Sequence, residues 1–385
     1  MTTQQGYLFS KGVTASTEVD VSDSVRMIMT VKHLFELSHQ RSVLASKKSI
    51  VFGAIPFSNQ GKAHFILPAD YHFYSREKIQ SLLLKTANQA PLTLVEQRYQ
   101  PDQAAYQQAV SNALQAFAAN KLDKVVLGKQ CHLTLSAAID PAVILKNLLL
   151  NNQRGYHFSL PLREGVLLGV SPELLLRKSG EQLFTNPLAG SVKRHGHAKQ
   201  EEWQALALLH SEKDRHEHKL VVDDIVQVLK PLCSELNVPD VPSILKTDSM
   251  LHLSTEISGI ANAPQLSSLD AALALHPTPA VCGYPTELAR AFIAEQEKGE
   301  RNYFAGLVGW CDEEGNGEWY IAIRCGLVDH DKVTLFAGAG VVAGSDPLLE
   351  WQETDAKLGT MLKALDLQYP EQEDVKQGDK YASQI

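Results

Sequence analysis

The last third of the chain constrains the fold most. Three apolar stretches, "FAGLVGW" (304–310), "GEWYIAIRCGLV" (317–328) and "KVTLFAGAGVV" (332–342), are joined only by "DEEGNG" and "DHDK". Short polar links of this kind close hairpins, because a parallel return needs a crossover of a dozen residues or more. The three stretches therefore predict antiparallel strands. Upstream, the strand signals "DKVVLGKQCHLTL", "GVLLGVSPELLLRK" and "EQLFTNPL" alternate with helical segments at 102–120, 140–151 and about 198–231. A closing helix is expected over 347–367, with Ser345 or Asp346 as N-cap and Pro347 in the first turn. Strands that meet as hairpins, with helices set apart, predict an α+β fold rather than a parallel βαβ sheet.

A chain of 385 residues, 44% hydrophobic, can bury a large core. Its net charge of −8, without a block of like charges, argues against a nucleic-acid partner. The polar start "MTTQQGYLFSKGVTASTEVD" lacks the apolar core of a signal peptide, and no apolar run reaches membrane-spanning length. A cytoplasmic location with no membrane partner is expected. The five cysteines (131, 233, 282, 311 and 325) are scattered, odd in number and form no C-x-x-C pair. They read as free thiols in a reducing compartment. Residues 1–100 carry no chemical motif and read as scaffold, and a polar tail begins at Gln368.

Two helices aim carboxylates at their apolar faces. At 100° per residue, Trp203, Leu206, His210, Asp214, Glu217, Val221, Asp224 and Val228 share a sector of about 80° that should face the core. Burying an unpaired carboxylate costs several kcal/mol or neutralises it. Either this face is solvated, or a cation keeps the carboxylates ionised. The closing helix places Trp351, Leu358, Met361, Leu362 and Leu365 on one face, with Glu350, Glu353 and Lys357 along its edge. That edge is either a surface ion-pair ladder or a second half of a metal site. Hard oxygen ligands without nearby Cys or paired His favour Mg²⁺ over zinc.

Three further segments carry possible chemistry. Lys124 lies in the strand "DKVVLGKQCHLTL", on the face opposite Val125 and Leu127. It is either a solvated edge lysine or a desolvated general base. Glu173, after a proline in "GVSPELLLRK", is either a strand-end surface carboxylate or a half-buried general acid. "LFAGAGVVAG" imitates a dinucleotide fingerprint, but no further strand bearing an acid follows it. A glycine strand that lets backbone approach a ligand fits it better.

The segments "DKVVLGK", "GVSPELLLR", "NPLAGSVKR", "EKDRHEHKLVVDDI", "HPTPAVCGYP", "GWCDEEGNGEWYIAIRCG" and "LFAGAGVVAGSDPLLEWQETDAKL" occur in this order. In them the chain resembles the chorismate-utilising enzymes over roughly residues 100–367. The resemblance implies one α+β domain over 1–367, with 1–100 less diagnostic, 101–367 bearing the motifs and 368–385 a tail. Two stacked antiparallel sheets would form a sandwich core with helices outside. It implies Mg²⁺ on Glu217 and Glu353, with Asp214 and Glu350 reaching it through water. Arg324 and Lys357 would pair with substrate carboxylates, and the backbone at Gly190, Ser191, Ala280 and Gly338 would line the pocket. His276 would approach the substrate ring. Members that use ammonia resemble one another in carrying Gln where this chain has Lys124. Lysine implies water as nucleophile: attack at C2 of chorismate, base Lys124, acid Glu173, product isochorismate. Ser191 also resembles the isochorismate-forming group, whose siderophore-pathway members look most similar. Salicylate formation and the menaquinone-pathway enzyme are the alternatives. A monomer with chorismate as its small-molecule partner is expected.

Overall fold

The computed structural model describes residues 1–40, 47–83, 89–194, 198–247, 250–297 and 299–368. A ten-stranded sheet runs in the order Thr2–Thr3, Gly6–Asp20, Lys62–Tyr74, Ile50–Ile55, Leu307–Asp312, Gly317–Ile321, Leu174–Ser179, Gln182–Asn186, Ile257–Ala261 and Cys233–Asn237. A second sheet runs Gly283–Tyr284, Lys124–Leu135, Lys332–Val342, Cys325–Asp329, Gly165–Ser171 and Tyr156–Leu162, with Leu94–Gln100 also paired to Lys124–Leu135. A small sheet joins Leu188–Lys193, Met250–Ser254 and Ser243–Lys246. Every strand pair within these sheets is antiparallel, as the hairpin signals require. The glycine strand Lys332–Val342 lies inside this antiparallel pairing, which excludes the dinucleotide arrangement. The N-terminal hundred residues are part of the same layer, because Ile50–Ile55 pairs directly with Leu307–Asp312.

Two stretches that read as single strands are each divided between the large sheets. Gly165–Ser171 lies in one and Leu174–Ser179 in the other, with Pro172 and Glu173 between them. Gly317–Ile321 and Cys325–Asp329 are divided likewise, at Ala322–Arg324. The two stretches run side by side through both sheets, with Trp319 opposite Leu176 and Gly326 opposite Leu168. Proline cannot donate to a ladder, and Arg324 takes a left-handed φ of 50°, so both chains leave their sheets at these points.

The sandwich core draws Leu174, Leu176, Trp319 and Ile321 from one large sheet and Val125, Leu127, Leu167 and Val341 from the other. Val221 and Ile225 of the helix Glu212–Leu229 close it on one side. A second cluster packs Leu133, Val333 and Leu335 under Leu358, Met361 and Leu365 of the last helix, Pro347–Leu365. Asp346 caps that helix, accepting from Leu348 N and Leu349 N at 2.9 Å each.

The helix expected over 198–231 is two helices, Ala198–His210 and Glu212–Leu229. Ser211 breaks it: its backbone is extended and its Oγ accepts from Asp214 N at 3.3 Å, starting a new helix in a new phase. The single apolar sector therefore fails in its first half, where Trp203 is 70% and Leu206 is 52% exposed. It holds in the second, where Glu217 and Val221 are buried. All five cysteines are unpaired, and four of them are buried. Among the described residues no helix is long and apolar enough to cross a membrane. Gln368 is still tied to the fold, donating to Leu92 O and accepting from Leu94 N at 2.9 Å. The rest of the expected tail lies outside the described residues.

Candidate active site

A cavity of about 470 Å³ opens where the strands change sheets. Both crossings deliver a side chain to it, Glu173 from one and Arg324 from the other. Glu173 is only 3% exposed, so it is not a strand-end surface carboxylate. Burial pushes its pKa up to about 8, against the opposing pull of Lys124, the Leu188 N–H, Arg324 and Lys357. At neutral pH it holds a proton. Burial likewise lowers the Arg324 guanidinium to about 10, still cationic. Lys357 donates to Gly338 O at 2.8 Å and pairs with Glu353 at 2.6 Å.

Lys124 lies just behind the cavity wall with its side chain 0% exposed, which excludes the solvated edge lysine. Its Nζ sits 2.9 Å from Glu217 Oε1. The contact is an ion pair without hydrogen-bond alignment, so the ammonium protons are buried and unclaimed. A buried donor left in that state marks a place for a ligand atom. Gly340 makes the pair possible: a Cβ there would lie 2.6 Å from Glu217 Oε1 and 3.3 Å from Lys124 Cε.

The two carboxylate-bearing helices face this cavity. Glu217 and Asp214 come from Glu212–Leu229, and Glu353 from Pro347–Leu365. Ser211 Oγ donates to Asp214 Oδ2 at 2.5 Å, and Ser191 Oγ donates to Glu353 Oε1 at 3.4 Å. Burial raises the Asp214 pKa, and the charges of Glu217 and Glu353 add to the rise. Burial and then Glu353 push Glu350 up to about 7, although Lys213 stands 3.7 Å away. Burial also works against Glu353, but Lys357 and Arg324 outweigh it and hold that carboxyl below its ordinary range. Asp214, Glu217, Glu350 and Glu353 thus share one region with Lys124, Lys213, Lys357 and Arg324.

Among the described residues no three His, Cys, Asp or Glu side chains form a ready-made metal cage. Mg²⁺ often takes only one or two carboxylates and completes its shell with water and substrate oxygens. Glu217 and Glu353, two carboxylates lining one cavity, fit that requirement.

Of the residues singled out from sequence, Glu173, Gly190, Ser191, Asp214, Glu217, Ala280, Arg324, Gly338, Glu353 and Lys357 line the cavity. Lys124 and Glu350 lie behind it, against Glu217 and Lys213 respectively. Gly190 has φ +72°, and a Cβ there would sit 3.0 Å from Asp214 Cβ. His276 does not reach the cavity. It follows the helix Ser268–Leu275, and its Nε2 is committed to Ala305 O at 2.9 Å; burial pushes its pKa down to about 4. His276 therefore holds a wall residue, Ala305.

Sequence reasoning missed His252, Lys213, Phe304 and Phe336, all of which line the cavity. His252 sits between two leucines in the strand "MLHLS", opposite Ser191. An ionisable residue flanked by leucines in a buried strand was the available signal. Phe304 and Phe336 stack at 5.7 Å and 9°. Gly128 and Gly338 face each other across the strands and leave the Phe304 ring its room.

The family model for chorismate binding enzymes matches residues 60–366. The chain is 43% identical over 322 residues to the isochorismate synthase EntC of Escherichia coli strain K12, covering 83% of this chain and 82% of that one. It is 53% identical over 268 residues to a protein of Aeromonas hydrophila named putative isochorismate synthase, covering 69% and 68%. The crystal structure described as a putative 2,3-dihydroxybenzoate-specific isochorismate synthase, DhbC, of Bacillus anthracis superposes with a TM-score of 0.85 at 36% identity, covering 94% of each chain. Anthranilate synthase component I of Streptococcus pneumoniae shares the fold, with a TM-score of 0.73 at 19% identity.

Proposed function

The chain belongs to the chorismate-binding enzymes, and from that premise we propose that it isomerises chorismate to isochorismate. One observation carries the reading: a buried amine, Lys124, and a buried carboxylic acid, Glu173, serve one cavity that also presents Arg324 and Lys357. The relatives named as isochorismate synthases support it, and Ser191 and Lys124 fit water rather than ammonia as nucleophile.

Chorismate is a dicarboxylate. Arg324 offers a planar fork and Lys357 a point charge, so the two suit its two carboxylates. Lys124 first releases the proton of its ammonium to solvent, and the amine then takes a proton from water as the new oxygen bond forms at C2. The ring double bonds shift and the C4–oxygen bond breaks. Glu173 gives its proton to the departing oxygen, which leaves as water. The acid ends as carboxylate and the base as ammonium, and proton exchange resets both. Burial keeps Glu173 protonated until that step. Glu217 and Glu353 would hold Mg²⁺, with Asp214 and Glu350 reaching it through water. When bound, the cation would orient a substrate carboxylate and screen its charge.

Relatives include one named specific for 2,3-dihydroxybenzoate and one named specific for vibriobactin. On that support the product feeds a catecholate siderophore. Purified protein with chorismate and Mg²⁺, without ammonia or glutamine, should yield isochorismate and should run the reaction in reverse. Salicylate or an aminated ring as the main product would refute this assignment.

A further inference from the structure

The strand Lys124–Leu135 has an interrupted edge. Gly283–Tyr284 pairs with it at Lys124 and Val125, and Leu94–Gln100 pairs with it only from Gln130 onward. The Val126 N–H still donates to Cys282 O at 2.8 Å, but among the described residues no strand covers 127–129 on that side. Buried backbone groups without partners are costly, so something else must satisfy them. The Val126 carbonyl accepts from Arg301 Nη2 at 2.6 Å, and the Gly128 N–H donates to Glu297 Oε1 at 2.7 Å. Two charged side chains stand where a strand is missing.

The same pair reaches further. Arg301 Nη1 donates to Val281 O at 3.0 Å, and its Nε donates to Glu297 Oε2 at 2.7 Å. The guanidinium lies 4.4 Å from the Phe57 ring centroid and 5.7 Å from that of Phe304. Arg301 is 5% exposed. Neither partner lines the cavity, yet Val126, Val281 and Phe304 all do. Val126 is two residues from Lys124, and Gly128 faces Gly338, the acceptor for Lys357.

A buried ion pair is a poor source of stability, since apolar residues of like volume often serve as well or better. Apolar residues cannot offer directed donors and acceptors to a strand edge. We propose that Arg301 and Glu297 are positioning residues: together they replace the missing strand and fix the Val126–Gly128 backbone against Val281, and so keep Lys124, two residues along and itself paired with Tyr284 and Val342, at its station. Five donors in a rigid plane are needed for this, so lysine is not an equivalent. The inference rests on the proposed reaction for its kinetic readout only.

The test is the double variant Arg301→Met/Glu297→Gln, which removes both charges and keeps the volume. It should fold cooperatively, lose at least ~10-fold in kcat and keep the chorismate KM within about threefold, since small misplacements of a catalytic group cost that much or more. Arg301→Lys should show the same split. Amide hydrogen exchange at 126–129 should accelerate at least ~10-fold in both variants while the strand Gly317–Ile321 is unchanged. Parental kcat in either folded variant overturns the proposal, as does parental exchange at 126–129. If the double variant fails to fold, Arg301→Lys decides it alone. The exchange measurement needs no turnover, so it stands even if the parent protein fails to act on chorismate, which would refute the proposed function separately.

Discussion

Glu173→Gln should make the protein both slower and more stable. With Glu173 titrating at about 8 in the fold and near 4.5 in the unfolded chain, the folded form holds a proton that the unfolded form releases. The contribution of this group to stability is therefore fully present below pH 4.5 and is lost as pH rises toward 8. At ~1.36 kcal/mol per pH unit, the cost accumulated by pH 7 is on the order of 3 kcal/mol. Glutamine keeps the shape and cannot ionise, so it escapes that cost. With an unfolding entropy of ~2.1 cal/mol/K per residue, the melting temperature should rise by roughly 4 °C at pH 7. It should rise less at pH 5, where the unfolded carboxyl is nearer its protonated form. Turnover should fall at least ~10²-fold, because the amide has no proton to give. The parent enzyme should lose activity as pH rises through about 8, where the acid ionises. Thermal unfolding at pH 5 and 7 beside steady-state kinetics checks both halves. A variant that is less stable at pH 7, or that keeps more than a tenth of parental kcat, would refute the assignment of Glu173 as a buried, protonated acid.

Lys124→Ala should also cost at least ~10² in turnover, measured at saturating chorismate; near-parental turnover would show that the amine is structural. The same variant leaves Glu217 without its cation, so added Mg²⁺ should raise its melting temperature more than the parent's. EDTA should abolish turnover and excess Mg²⁺ restore it, and Glu217→Gln or Glu353→Gln should reduce activity and Mg²⁺ dependence together; full activity in EDTA would exclude the metal role. Gly340→Ala should weaken Mg²⁺ dependence and turnover with little loss of stability, because the added methyl meets the mobile end of Glu217 rather than backbone. Titrating turnover against Mg²⁺ for this variant gives the answer, and an unchanged curve would show that Glu217 can move without consequence.

Local signals were legible where neighbours in sequence decide the outcome. The hairpins at 312–317 and 329–332 follow from loop length, and Asp346 with Pro347 starts the last helix as cap chemistry requires. Ser211 was the exception. Its hydroxyl restarts the helix and rotates the apolar sector, which hydrophobic spacing alone cannot register. His276 is a different case. Its segment fixes the backbone, but whether the ring faces a ligand or the carbonyl of Ala305 depends on a residue far along the chain.

The sequence by itself determined the antiparallel class, the helix caps, the free thiols and an inventory of acids and bases too charged for an ordinary core. Only the tertiary structure decided which of them meet. It splits two apparent strands at Pro172–Glu173 and Ala322–Arg324, and the cavity opens at those splits. It also buries Lys124 against Glu217, two residues separated by most of a hundred positions. Periodicity reports which face of a strand is apolar, yet both halves of each split strand are apolar and buried. The choice of sheet rests on long-range pairing, Trp319 with Leu176 and Gly326 with Leu168, whose partners no local pattern specifies. Burial then sets the protonation of Glu173, because the free energy of a charge depends on its surroundings and those are assembled only when the distant strands meet.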